Sequence, residues 1–449
     1  MLRSIELFYL EVPNSIATTR LLELHSDELP VPIEGRKFLS TYIALRALSH
    51  HPASDGILRR INETVDALLQ RHDNEGRNDL EKLKHEYTRA LCDQFAFHWE
   101  PKDIHNLLVA PGGRATYNCS WASNEDHILV AAALVGKTEH VLELLEGKVQ
   151  KRNPRTIFGT ALSCAARGGH HDIIKIILDF KNDHDDRRID FLQPLEAAAS
   201  TGQDHIIRLL MERKPIRHFN PNCFGEPFLY DSMHGAVWGG HAKTLILLFD
   251  MSSKECDLLV ITSILWAAAQ RGHLEIVRLM LERGANVNCP DIKDLESSLE
   301  VAATQGHTRV VEFLLANGAN DIRGDGSTTK GLAIWRAARF GFTQTVRVLI
   351  DNGANVEGDE GLQRSLLVTA AQTGQLHMVN FLLSKIDIKR FPEVGIGAIY
   401  YATKNGYAGI ANTLTEHGVI FHRRPWMDWL DNVASESNSV ESAAESSPE

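Results

Sequence analysis

Four histidines, His170, His241, His273 and His307, each directly follow a glycine. Histidine titrates near neutral pH and ligates metals, so a recurrent Gly-His pair at a helix start is a candidate for acid–base or metal chemistry. The same residues could instead be punctuation between two helices. Cys223, Cys256 and Cys289, spaced 33 and 33 residues apart, raise a metal or a disulfide in the same way. Other fragments carry only part of a catalytic motif. GDGSTTK at 324–330 lacks the glycine directly before the lysine of a phosphate loop, and HEYTR at 85–89 lacks the second histidine of a zinc-protease helix. DHDDRR at 183–188 reads as an exposed charged hairpin whose carboxylates are solvated rather than metal-bound. No GxSxG elbow, HExxH helix or GxxxxGK[ST] loop occurs.

The elements that position these residues repeat. Equivalent glycines stand at Gly136, Gly169, Gly202, Gly240, Gly272, Gly306, Gly341, Gly374 and Gly406, at intervals of 32 to 38 residues. A small-residue pair precedes most of them, as in Ala132-Ala133, Ala165-Ala166, Ala268-Ala269 and Ala370-Ala371; two units degrade it, to Ala236-Val237 and Ala402-Thr403. Seven residues before each glycine stands Leu, Ile or Met, from Leu129 to Ile399. Each unit therefore reads as two short antiparallel helices. The Ala pair lets neighbouring helices approach, where a leucine would force them apart. The glycine supplies the left-handed residue that ends the first helix. The second helix carries an apolar stripe, as in Ile276, Val277, Met280 and Leu281. A pair of this size has too little core to stand alone, so its stability must come from stacking on its neighbours.

That register decides the first question. The four histidines hold one repeat position, which Lys137, Gln203, Phe342, Gln375 and Tyr407 hold in the other units. They form a column rather than a cluster, and such tolerance is a poor match for a metal or catalytic centre. The three cysteines likewise share a phase and in a stack would stand about 8–10 Å apart. A disulfide needs Cα atoms within about 7 Å.

The stretches AAAQRGHLEIVRLMLERGANVN, VAATQGHTRVVEFLLANGAND and RAARFGFTQTVRVLIDNGANV, within 262–356, resemble ankyrin repeats. The pattern covers about 125–420 in about nine units. The family's Thr-Pro-Leu-His stretch is largely absent. SILW at 263–266, SSLE at 297–300 and LAIW at 332–335 replace it, and only His234 keeps the histidine. This removes the usual source of inter-repeat hydrogen bonds without removing the fold. The resemblance implies an all-α solenoid of stacked helix pairs with hairpin or loop fingers, binding protein partners on its concave face. The two residues before each marker glycine are expected to be exposed there. Aromatic and arginine side chains dominate binding hot spots, which selects Arg167, Trp238, Gln270, Arg271, Arg339 and Phe340. Trp266, Trp335 and Tyr400, in place of the family histidine, either belong to that surface or pack between repeats.

The array, residues 121–424, is flanked by two other regions. Residues 1–120 read as a helical region that docks on the array. Ile57, Leu58, Ile61, Val65, Leu68 and Leu69 form one stripe, and a second helix runs over 78–98 with Asn78 as N-cap. Residues 425–449 contain no Lys or Arg after Arg424 and six serines after Leu430, so about the last 18 are expected to be disordered. PWMDWLDN at 425–432 reads either as a capping turn or as an acidic-aromatic docking peptide.

Composition narrows the function. Forty-seven basic against 58 acidic residues, net −11, argue against a broad phosphate-tracking surface, so no direct nucleic-acid binding is expected. Six cysteines without a CxxC pair suit a reducing compartment, cytoplasmic or nuclear. MLRSIELFYLEVP places Glu6 and Glu11 where a secretory leader needs apolar residues. LLVITSILWAAA at 258–269 is about half the ~20 residues that span a bilayer. The reading is a non-enzymatic, monomeric scaffold for protein partners, with no cofactor, metal, catalytic residue or membrane contact. The array also resembles those of filamentous fungi, some of which act as co-regulators of metabolic gene clusters. The alternatives are an enzyme or enzyme accessory with its activity in 1–120, or a ubiquitin-ligase substrate adaptor.

Overall fold

A computed structural model describes residues 40–41, 43–45, 47–48, 56–71, 77–98, 122–147, 153–180, 191–213, 227–252, 257–288, 297–320, 332–353, 360–386, 388 and 392–421. The chain divides into two compact units, Met1–Asn286 and Val287–Glu449.

In the first unit, helices α1 (Gly56–Leu69) and α2 (Arg77–His98) precede a series of short helix pairs. These are α3 (Asn124–Val135) with α4 (Thr138–Gly147), α5 (Ala161–Gly168) with α6 (His171–Asp179), and α7 (Leu192–Ser200) with α8 (Asp204–Arg213). The series continues with α9 (Pro227–Gly239) and α10 (Ala242–Met251), then α11 (Leu258–Arg271) and α12 (Leu274–Glu282). The second unit holds α13 (Ser298–Thr304) with α14 (Thr308–Ala316), and α15 (Leu332–Arg339) with α16 (Thr343–Asp351). It ends with α17 (Glu360–Gln372) and α18 (Leu376–Leu383), then α19 (Pro392–Lys404) and α20 (Ala408–Glu416). Among the described residues the strands are β1 (Arg155–Thr156) and β2 (Gly159–Thr160), paired antiparallel with Arg155 opposite Thr160.

Local sequence explains the helix boundaries. Ser123 accepts from the Asp126 amide at 3.1 Å while the Asp126 carboxylate accepts from the Ser123 amide at 2.8 Å, a reciprocal N-cap. Thr160 and Ser163 repeat the arrangement at the start of α5. The Asn78 expectation needs correction: α2 begins at Arg77, which places Asn78 inside the helix rather than at its cap. The nine register glycines all have positive φ, between 72° and 80°.

First helices stack on first helices. In the first unit α3, α5, α7, α9 and α11 pack in succession, and in the second α13, α15, α17 and α19 do so. The Ala pairs sit at these contacts with no exposed surface, as at Ala132, Ala133, Ala165, Ala166, Ala268 and Ala269. Second helices face them with buried stripes; Ile276, Val277 and Met280 are buried, while Leu281 is half-buried.

The marker glycine does more than end a helix. A Cβ on Gly136 would lie 2.5 Å from the His170 ring of the next repeat. Gln203 packs in the same way on Gly169, His241 on Gly202, His273 on Gly240, Phe342 on Gly306, Gln375 on Gly341 and Tyr407 on Gly374. In these seven places the residue after a marker glycine therefore fills the space that the preceding repeat's glycine leaves open. Gly284 also has a positive φ, 86°, but has nothing within 4 Å of its missing Cβ. Gly284→Ala should cost about 1–2 kcal/mol for the left-handed backbone alone. Gly136→Ala should add about 1–3 kcal/mol for displacing the His170 ring. Chemical denaturation of the two variants measures the difference, and equal losses would remove the ring contact from the account.

Candidate functional site

The repeat stacking leaves one set of backbone groups to be satisfied: the carbonyls at the C-terminal end of each first helix. The next repeat supplies donors to them. Nε2 of His170 donates to the Leu134 carbonyl at 2.9 Å, which fixes that ring's proton on Nε2. The Thr201 hydroxyl donates to the Arg167 carbonyl at 3.0 Å, and the Asn405 side-chain amide to the Gln372 carbonyl at 2.9 Å. Each acceptor lies two residues before a marker glycine. The histidine position is thus a packing device, at His170 also a capping one, and no side-chain cap bond to its own second helix is made by His170, His241, His273 or His307.

The same two positions before the marker glycine hold the residues selected from sequence. Their expected exposure needs correction: Arg167, Trp238, Gln270, Arg271, Arg339 and Phe340 are all half-buried, while Gly168, Gly239 and Gln372 are exposed. Neighbouring side chains explain the difference. The Arg167 guanidinium lies 3.9 Å from the centre of the Phe97 ring on α2. The Arg271 guanidinium lies over Trp238 at 3.2 Å, joining consecutive repeats. In the second unit, Arg339 lies 5.6 Å from the Trp335 ring and 5.9 Å from Phe340, whose own ring is 6.4 Å from Phe342. Cation–π contacts of this kind contribute about 0.5–2 kcal/mol and hold a long side chain in one orientation.

Of the three aromatics in place of the family histidine, Trp335 packs between repeats. Trp335 is half-buried and donates from Nε1 to the Thr369 hydroxyl at 3.0 Å, so an indole supplies an inter-repeat bond there. Trp266 is half-buried, and Tyr400 is buried with Ile396. His234, the retained histidine, packs against Tyr230 with ring centres 4.5 Å apart and the rings tilted by 58°. Burial pushes its pKa down, helped by Arg271 and opposed by Asp231. In the second unit Asn288 bridges two segments, donating to the Gly318 carbonyl at 2.9 Å and accepting from the Asn320 amide at 2.7 Å. The GANVN stretch carried that signal, an asparagine at the end of a repeat, without naming its partner.

Helices α1 and α2 pack on α3, and α2 reaches the β1–β2 finger. Ile57, Leu58, Ile61, Val65 and Leu68 are buried, as are Tyr87, Leu91 and Phe95. The Gln94 side chain donates to the Phe158 carbonyl at the finger tip at 2.8 Å, within the core. The Phe158 ring is fully buried and meets the His127 imidazole edge-on at 6.0 Å. Gln94, Phe97 and Phe158 were not singled out from sequence, because their partners lie 64 to 70 residues away.

Among the described residues no three His, Cys, Asp or Glu side chains converge to hold a metal, and no helix is long and apolar enough to cross a membrane. Cys92 and Cys164 are free and buried, and burial pushes both thiols up to about 12, so neither supplies a thiolate nucleophile near neutral pH. Cys223, Cys256 and Cys289, GDGSTTK, DHDDRR and PWMDWLDN lie outside the described residues.

Tandem helix pairs, with a marker glycine seating the next repeat and a variable pair of residues ahead of it, define a stacked-repeat protein. The family model described as Ankyrin repeats (3 copies) matches residues 122–224, 233–325 and 334–424. The chain belongs to the ankyrin repeat family, whose members are generally protein–protein interaction modules and typically non-enzymatic. No curated protein matches it.

The junction between α2 and the finger should be pH-sensitive. Burial, and then the nearby Arg155, push His98 from 6.5 down to about 4. Between those values the unfolded chain binds a proton that the folded chain does not. Stability should therefore fall as pH drops from about 6.5 to about 4 and level off below. Melting curves of wild type and His98→Gln across that range check this: the variant should lose less, and parallel curves would exclude His98 as the titrating group.

Proposed function

We propose that this chain is a non-enzymatic scaffold that captures partner proteins on the face formed by its first helices. The observation that supports it most directly is the set of oriented Arg and aromatic side chains just ahead of the marker glycines: Trp238 with Arg271, and Arg339 with Trp335 and Phe340. These residues vary from repeat to repeat, while the marker glycine is constant and the Ala pair recurs in seven of nine units. Groups pre-ordered by stacking lose little entropy on binding, which favours affinity at small contact areas. In this reading residues 1–120 cap the start of the array through α1 and α2, and the array, 121–424, presents the binding face. The double variant Trp238→Ala, Arg339→Ala should lose partners in affinity capture with mass spectrometry while keeping its helical circular dichroism. Normal capture by a folded double variant would remove this surface.

Within the scaffold class we place the chain as a transcription co-regulator. The composition of residues 425–449, acidic and serine-rich with Trp426 and Trp429 at its start, supports that role. The expected outcome is nuclear accumulation with a transcriptional response that requires residues 425–449. An exclusively cytoplasmic protein would sink the co-regulator reading and leave the scaffold reading intact.

A further inference from the structure

One marker glycine differs from the rest. Gly406 is exposed, whereas the other eight are half-buried. A Cβ on Gly406 would meet nothing within 4 Å among the described residues, although its φ of 78° keeps the register. Among those residues no helix pair follows α20, and residues 422–449 contain no glycine to mark a further unit. The seat that seven other glycines fill with the next repeat is open here.

The filled seats show what fits. Their occupants are three imidazoles, two carboxamides, a phenyl and a phenol, all planar where they meet the glycine. A flat group can lie against a backbone that carries no Cβ and gain close contact over one whole face. The surface beside Gly406 is also partly apolar. Tyr407, seated on Gly374, is exposed, and Ile420 and Phe421, which follow α20, are 69% and 43% exposed.

The chain carries planar apolar side chains shortly beyond, at Trp426 and Trp429. Reach selects between them. Gly406 and Phe421 flank opposite ends of α20, whose nine residues span about 14 Å. The five residues from Phe421 to Trp426 extend about 17 Å at most, and the eight to Trp429 about 27 Å. The longer path leaves slack for the chain to turn back along the helix. A second copy is poorly placed to offer its own first unit instead. There α1 and α2 already pack on α3, and the Lys137 ammonium, at the occupant's position, lies 6.0 Å from the centre of the Tyr87 ring on α2.

We propose that Trp429 seats on Gly406 of the same chain, so that residues 425–430 close the last repeat, with Trp426 toward Ile420 and Phe421. The inference is independent of the scaffold and co-regulator readings, because Asp431 and the acidic, serine-rich residues after it take no part in the contact.

The full-length protein labelled with 5-fluorotryptophan tests this by fluorine NMR, with the two resonances assigned from Trp426→Phe and Trp429→Phe. The Trp429 resonance should have the width of a folded domain and should lose most of the solvent-isotope shift of free tryptophan. Gly406→Asn fills the seat with a residue that tolerates the left-handed backbone. It should move the Trp429 resonance to the free-indole position and sharpen it. Gly284→Asn, at a left-handed glycine with no occupant, should leave the resonance unchanged, and circular dichroism checks that both variants fold. A sharp, solvent-exposed Trp429 resonance in the wild-type protein would overturn the proposal whatever the variants do. So would a folded-type resonance that ignores Gly406→Asn in a folded variant, or a response confined to Trp426. Loss of the folded-type resonance on dilution would also overturn it, by making the occupant the tail of a second copy.

Discussion

A hydrogen atom in place of a side chain, at the end of each first helix, governs how one repeat meets the next. The marker glycine must be left-handed to turn the chain, but many C-caps share that requirement. Its further constraint is the neighbour: the His170 ring occupies the place where a Cβ on Gly136 would stand, and seven such contacts recur along the chain. The seated residue changes from imidazole to carboxamide to phenyl to phenol, so the contact depends on shape and on filling a space rather than on one functional group. Where the group can donate, it also satisfies a carbonyl that the helix end leaves open, as His170 does for Leu134.

Once the repeats are seated, the residues two and one before the glycine are carried to the same face within each unit. Their neighbours then determine their orientation. Arg167 lies on Phe97, and Arg271 lies on Trp238, so neither arginine is a mobile surface side chain. Helix α2 and the finger tip share buried groups, with Gln94 on the Phe158 carbonyl and Phe158 against His127. Its register on the first repeats is therefore fixed by polar as well as apolar contacts.

The repeat architecture was legible because its cause is local and recurrent. Small residues at constant offsets from a glycine have few explanations, and Ala165-Ala166 or Ala268-Ala269 announce close-packed helices without any knowledge of the partner. The role of the histidines was half legible. Substitution by Gln203, Phe342 and Tyr407 made a catalytic centre a poor match, but their seat is a glycine in another repeat, and no local pattern identifies that. The candidate surface was the least legible. Trp238 and Arg271 were each expected to be exposed, yet they occupy adjacent repeats at offsets of two and one, so stacking brings them together and half-buries both. The signal was present in their 33-residue separation, one repeat length, but a pairwise contact between variable positions follows only from the stacking geometry. The same applies to Trp335, whose indole replaces the family histidine and finds Thr369.

Because repeats are registered at their glycine ends, the connections at the opposite end are released from that duty. The interval from Gly202 to Gly240 is 38 residues against 33 for its predecessor, yet His241 seats on Gly202 as His170 does on Gly136. Added loop length costs only a slowly growing closure entropy, about 0.6 kcal/mol per doubling. Insertions and deletions in the fingers are thus nearly neutral for the lineage, while a single methyl group at a register glycine is not. Such a chain can diverge in length and in ligand without ever renegotiating its fold.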